Sequence, residues 1–194
     1  MRIFLAALLG AIAMFIWMSI AHMALPLGEA GIKEVPNETF LGLMQAQLGD
    51  QAGFYIFPGF GLGPHPTKEQ QHEAMKHMDE RAARYPSGIM MYFPPGGRPM
   101  MMGKWLSIEF VTEFFETLLA VWMLSCTRLV SYGARVGFIL VAGILAGIST
   151  NISYWNWYGF PAVYTCAYIF TQVVGFLCAG LVVALVLKNW KPAP

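Results

Sequence analysis

Glu109, Glu113 and Glu116 lie inside SIEFVTEFFETLLAVWMLS, residues 107–125, a stretch otherwise apolar enough to cross a bilayer. On an α-helix their spacing places them within roughly 60° of one another, on one face. A carboxylate at the centre of a membrane helix costs about 2.5–3.5 kcal/mol on insertion scales. Something must offset that cost. Carboxyl groups can do so by hydrogen bonding as neutral acids, by holding a cation, or by serving as a general base.

Candidate partners sit on other apolar runs. Tyr164, Tyr168 and Gln172 share one helical face at i,i+4 spacing. A rise of about 1.5 Å per residue puts Glu109, Glu113 and Glu116 roughly 6, 12 and 17 Å below Trp105. The same rise puts Tyr164, Tyr168 and Gln172 about 3, 9 and 15 Å below Ala162. His22 and Ser19 stand near the end of the first run, and Ser149, Thr150 and Asn151 near the end of the third. Residues 3–13, 136–146 and 173–187 carry no polar side chain except Cys178. The second run keeps Thr117, then Ser125 and Cys126 near its exit; elsewhere polarity is confined to one half of each run. The expected object is a polar pocket open to one side and floored by apolar residues. A conducting path needs wettable groups through the whole bilayer, so a pump or channel made of one such chain is disfavoured.

Three readings of the pocket stay open. It is a buried hydrogen-bond network, with Glu109, Glu113 and Glu116 paired to Tyr164, Tyr168, Gln172 and His22. It is a binding site for a cation, a metal, a polar headgroup or a cofactor, lined by those residues and Asn151. Or it is an enzyme site with a glutamate as general base. As metal ligands the set would be Glu109, Glu113, Glu116 and His22, suited to Zn, Mn or Fe. No Glu-x-x-His accompanies them in register, as a di-iron bundle would require. Glu69 and His72 fit that spacing, but on a polar segment, where His72 and His77 are expected to be solvated. His65 lies in a Pro-Gly loop. No catalytic residue is assigned, because no nucleophile motif is present. The glycine-rich segment 59–63, GFGLG, lacks the Lys-Ser/Thr of a phosphate loop. No cofactor is named by a motif; a divalent metal or a bound lipid is what such a pocket would take.

The elements that must position these residues are membrane spans. The chain is 57% hydrophobic and 12% charged, against about 25% charged in a soluble domain. Four runs can cross a core of about 30 Å: Ile3–Leu25, Trp105–Cys126, Val136–Ser153 and Ala162–Leu187. The first lacks a small-x-small cleavage site near its end, so it reads as a retained span rather than a signal peptide. Arg2, Arg128, Arg135, Lys188 and Lys191 fall on one side, and no Asp or Glu does. By the positive-inside rule both termini are cytoplasmic.

The expected fold class is an all-α integral membrane protein. It is a four-helix transmembrane bundle with a small α+β extracytoplasmic lid between helices 1 and 2. The division is 1–25 for the first span, 26–103 for the lid and 104–194 for the remaining three. A bacterial-type inner membrane is the expected location. The lid should hold a helix capped by Asn37, and a helix over 67–84 with a Thr67/Gln70 capping box and a Glu80–Arg84 pair. Two short strands, GFYIFPG at 53–59 and GIMMYFPPG at 88–96, would lie side by side or dip as apolar loops into the interface. Gly133, Gly137, Gly143 and Gly147 form two GxxxG steps, for packing within the chain or for dimerisation. The segment 154–161, YWNWYGFP, reads as an interfacial aromatic loop. Cys126, Cys166 and Cys178 form no metal or disulfide framework. With net charge +1 nothing points to nucleic acid. The expected partners are the lipid bilayer and a larger membrane complex or a second copy. The function so read is an accessory or scaffold subunit or a ligand-binding membrane component. The alternative is a membrane-embedded enzyme or metal-binding protein.

Overall fold

A computed structural model describes residues 1–35 and 37–190. Lys191, one of the basic residues above, lies outside them. The chain forms two compact units: Met1–Lys33 with the chain from Met101 onward, and Glu34–Met100.

The first unit holds four helices: α1 (Arg2–Met23), α5 (Met102–Ser125), α6 (Tyr132–Tyr158) and α7 (Ala162–Val186). Of these, α1, α6 and α7 are long and apolar enough to cross a membrane, consistent with a membrane protein. The helix α5 has 24 residues, and its three glutamates set it apart. Packing runs in the order α5, α1, α7, α6, while α5 only grazes α6 and α7. Small residues allow this. Ala6, Ala7, Gly10 and Ala11 make the buried face of α1, and a Cβ on Gly10 would lie 2.8 Å from Val183 and 2.9 Å from Thr117. Gly143 of α6 lies hard against Phe176 of α7. Backbones can approach this closely only where side chains are small.

One end of α7 is closed by arginines. Arg135 is 1% exposed. Its Nε donates to Leu129 O at 3.1 Å, its Nη1 to Leu187 O and its Nη2 to Trp190 O at 2.8 Å. Arg2 Nη1 donates to Asn189 O at 3.5 Å. The last carbonyls of a helix lack intrahelical donors and carry partial negative charge, so cations belong there. The aromatic segment 154–161 is not a loop. The helix α6 continues through Tyr158, and Gly159 at φ 68° supplies its left-handed cap. The Tyr154 ring then lies tilted against those of Tyr158 and Phe160, at 5.8 and 5.4 Å between ring centroids.

The second unit holds α2 (Glu38–Leu48), β1 (Gly53–Phe57), α3 (Lys68–Lys76), α4 (Met78–Arg84) and β2 (Gly88–Tyr92). The strands lie side by side, antiparallel, in register Gly53↔Tyr92 to Phe57↔Gly88. Tyr92 is buried and donates to Gly49 O at 2.9 Å. Asn37 caps α2, and Thr67 and Gln70 form the capping box of α3. The single helix expected over 67–84 is broken at His77, whose φ −93° and ψ 2° fall in the bridge region. Glu80 faces His77 at 3.5 Å, where a pair with Arg84 was expected.

Candidate functional site

The buried face of α5 runs Glu113, Thr117, Ala120, Val121, Leu124, an i,i+4,i+7,i+8,i+11 stripe set by the helical repeat. It packs chiefly on α1. Glu113 is 2% exposed and Thr117 1%. Neither carboxyl oxygen of Glu113 has a hydrogen-bond partner, and neither has Thr117 Oγ1. Three polar oxygens therefore sit unsatisfied one helical turn apart. Each such group costs about 1–3 kcal/mol.

Glu116, half-buried, reaches α7 instead. Gln172 Nε2 donates to its Oε2 at 3.4 Å. Glu109 is exposed. From Gln172 the face of α7 continues through Tyr168 and Tyr164, stacked at 4.4 Å with planes 27° apart. His22 of α1 meets Tyr168 edge-on at 6.1 Å. Its Nδ1 lies 2.9 Å from Met18 O, a contact in which Nδ1 carries a proton and donates. Phe160 abuts Tyr164 at 5.3 Å. A line of rings thus runs from His22 and Phe160 to Gln172 and ends at Glu116.

Asn151 is not part of this line. Its Nδ2 donates back to Gly147 O at 2.9 Å on its own helix. Nor do the four candidate metal ligands converge: among the described residues, no group of three or more His, Cys, Asp or Glu could hold a metal ion. The geometry offers carboxyl acceptors beside aromatic faces.

Sequence reasoning noted Thr117 as a polar residue of the second run but gave it no place in the pocket, although it stands one turn from Glu113. It also passed over Thr165, buried with an unpartnered Oγ1. Trp17 ties α1 to α7 by donating from Nε1 to Thr171 O at 2.9 Å, and nothing in its sequence neighbourhood signals that. Compared with known proteins, the chain matches no family model, no curated protein and no solved structure.

Proposed function

We propose that the chain is a polytopic membrane protein of four spanning helices, α1, α5, α6 and α7, that binds a cationic or N–H-donating ligand on the carboxyl face of α5. The observation that carries this is Glu113, buried with both oxygens unpartnered and Thr117 Oγ1 beside it. A self-contained network would have used those acceptors. Of the pairings such a network requires, only Gln172 with Glu116 is made, and that at 3.4 Å. An ionised carboxylate accepts only and a neutral acid keeps acceptor capacity, so a donating ligand complements either form. The stacked Tyr164 and Tyr168 offer π-faces suited to an organic cation.

In this reading the termini are cytoplasmic, residues 26–103 form an extracytoplasmic lid, and a bacterial-type inner membrane is the setting. The basic residues support that orientation, since Arg2, Arg128, Arg135 and Lys188 fall on one side. A reporter fused to the C-terminus should be active only in the cytoplasm; activity outside would invert the topology.

The ligand test is native mass spectrometry of protein purified in mild detergent, followed by identification of small molecules released on denaturation. Wild-type protein should retain a stoichiometric nitrogenous or cationic species that Glu113→Leu loses. Identical ligand-free spectra for both would refute the reading. A second reading, an accessory subunit of a larger complex, draws on α6. A Cβ on Gly133 or Gly137 would meet nothing within 4 Å, while Gly143 and Gly147 are taken up by α7. A partner helix would be expected on the open step. Gentle purification yielding only monomer would count against it.

A further inference from the structure

The sheet of the second unit has two unlike faces. On one, Tyr55 and Tyr92 meet edge-on at 6.2 Å, and their hydroxyls donate to Gln51 O and Gly49 O. The other carries the cross-strand pairs Phe54↔Met91 and Ile56↔Ile89, since residues directly opposite in an antiparallel pair share a face. Phe54, Ile56 and Met91 are 49, 57 and 67% exposed. Among the unit's described residues, Tyr92 is the one hydrophobic side chain that is buried, so the unit has almost no core of its own. A two-stranded sheet is marginally stable at best in water, and this one leaves a row of apolar side chains exposed.

That face lies in an uncharged part of the chain. Residues 51–64 and 86–97, which hold both strands and the turns after them, contain no Asp, Glu, Lys or Arg, while α3 and α4 carry most of the unit's charges. Such a surface gives up no ion hydration on entering lipid. The chain also enters and leaves the unit beside helix ends. Gly31, three residues before Glu34, lies against the start of α7, where a Cβ would be 3.0 Å from Tyr164 N. The unit ends at Met100, two residues before α5 begins. Links this short span at most about 11 Å each. They hold the sheet at high effective concentration near the surface from which spanning helices emerge, so a weak contact suffices. A second copy of the chain fits less well. Two five-residue strands cover a face of about 10 by 17 Å, far below the roughly 800 Å² per partner of a standard protein interface. A lipid surface sets no such minimum.

We propose that this face, formed by Phe54, Ile56, Ile89 and Met91, docks on the lipid bilayer. Its side chains enter the acyl boundary without help from anionic headgroups, and the charged helices α3 and α4 remain in water. The proposal rests on the reading of α1, α5, α6 and α7 as spans, and it gives the lid a lipid-facing side.

The test uses the full chain in phosphatidylcholine nanodiscs, spin-labelled at one position at a time through a genetically encoded keto amino acid that leaves the native cysteines untouched. Oxygen concentrates in lipid and a nickel chelate in water, so the ratio of their collision rates reports depth. Labels at Ile56 and Met91 should give a ratio several-fold above that of a label at His72 on α3. They should approach the ratio at Val141, which is 63% exposed on α6. Ile56→Asp should return the Met91 label to the His72 ratio, with far-UV circular dichroism reporting that the variant is folded. If Val141 lies in lipid while labels at Ile56 and Met91 match His72, the face does not dock and the spanning reading survives. If Val141 also reads as aqueous, both fail. Labels at Ile56 and Met91 shielded from both reagents would show a protein partner, and dipolar broadening between labels a second copy; either would overturn the proposal.

Discussion

Gln172 of α7 donates to Glu116 of α5 at 3.4 Å, a side-chain hydrogen bond that bridges these two helices. The helices otherwise touch little. Glu113, three residues earlier, turns to the opposite flank of the carboxyl face and into the buried stripe with Thr117. The two acids are thus treated differently: one is bridged to a neighbouring helix, the other is buried without a donor.

Glu113 should therefore be a site where stability and binding oppose each other. Glu113→Leu fills the same space without an unsatisfied group and should raise stability by about 1–3 kcal/mol. Glu113→Gln keeps two polar atoms in place and should change stability little. Thermal unfolding in detergent, after any bound ligand has been stripped from both proteins, reads the difference. If Glu113→Leu melts well below wild type, the carboxyl already has a donor within the protein and the ligand argument fails.

The carboxyl face of α5 was legible in the sequence because helical periodicity alone places Glu109, Glu113 and Glu116. The ladder Tyr164–Tyr168–Gln172 was legible for the same reason. Which partners they meet was not. Periodicity fixes an angle around one axis; it says nothing of the order in which helices pack. Depth matching paired all three acids with α7, but α5 packs chiefly on α1, so only Glu116 reaches across. Asn151 was misplaced because a side-chain amide can turn back to its own helix, here to Gly147 O. The break at His77 was missed because the capping box and the apolar stripe of 67–84 are both local signals, and neither reports the residue between them.

The four glycines of α6 should separate by partner. Gly143 lies against Phe176, so Gly143→Ala must push α6 from α7 and should cost about 1–3 kcal/mol by overpacking. Gly137 has open space, and Gly137→Ala should be neutral or raise stability by up to about 1 kcal/mol through helix propensity. Detergent melting curves give both numbers. Should Gly137→Ala leave the monomer intact but dissolve a larger assembly, the open step carries a partner helix. Equal effects at the two positions would contradict the packing described.

The helix α3 should weaken in acid. Glu69 is held below the usual carboxylate range by its own backbone N–H and by Thr67, and Glu73 by hydrogen bonding and charge from Lys76, with His77 adding less. Groups depressed in the folded state stabilise it above the unfolded carboxylate value, roughly 4.3 for Glu. That contribution is lost as pH falls through their lower folded values. Amide-exchange protection over 68–84 should thus drop below about pH 4 while that of α2 changes less. Thr67→Ala removes the cap and should cost the helix about 1 kcal/mol at neutral pH. Protection that stays flat down to pH 3 would show that these contacts contribute nothing.

Arg135 should behave as a latch on the end of α7. Its guanidinium bonds three backbone carbonyls and lies 5.8 Å from the centroid of the Trp190 ring. Leu187 O also accepts from Trp190 N at 2.8 Å, so the tail beyond the helix is folded onto the same acceptors. A hydrogen bond to a charged group contributes about 1.5–3 kcal/mol. Water at a helix end replaces part of it, so Arg135→Ala should cost roughly 3 kcal/mol in all. Arg135→Lys keeps the charge but not the planar fork, and should recover less than half. The local readout is carboxypeptidase digestion, which should release Trp190 faster from Arg135→Ala than from wild type under conditions where both remain folded. If both variants melt with wild type and Trp190 stays protected, the arginine is serving only as a charge at the membrane face. The positive-inside rule would then be the whole account of its position.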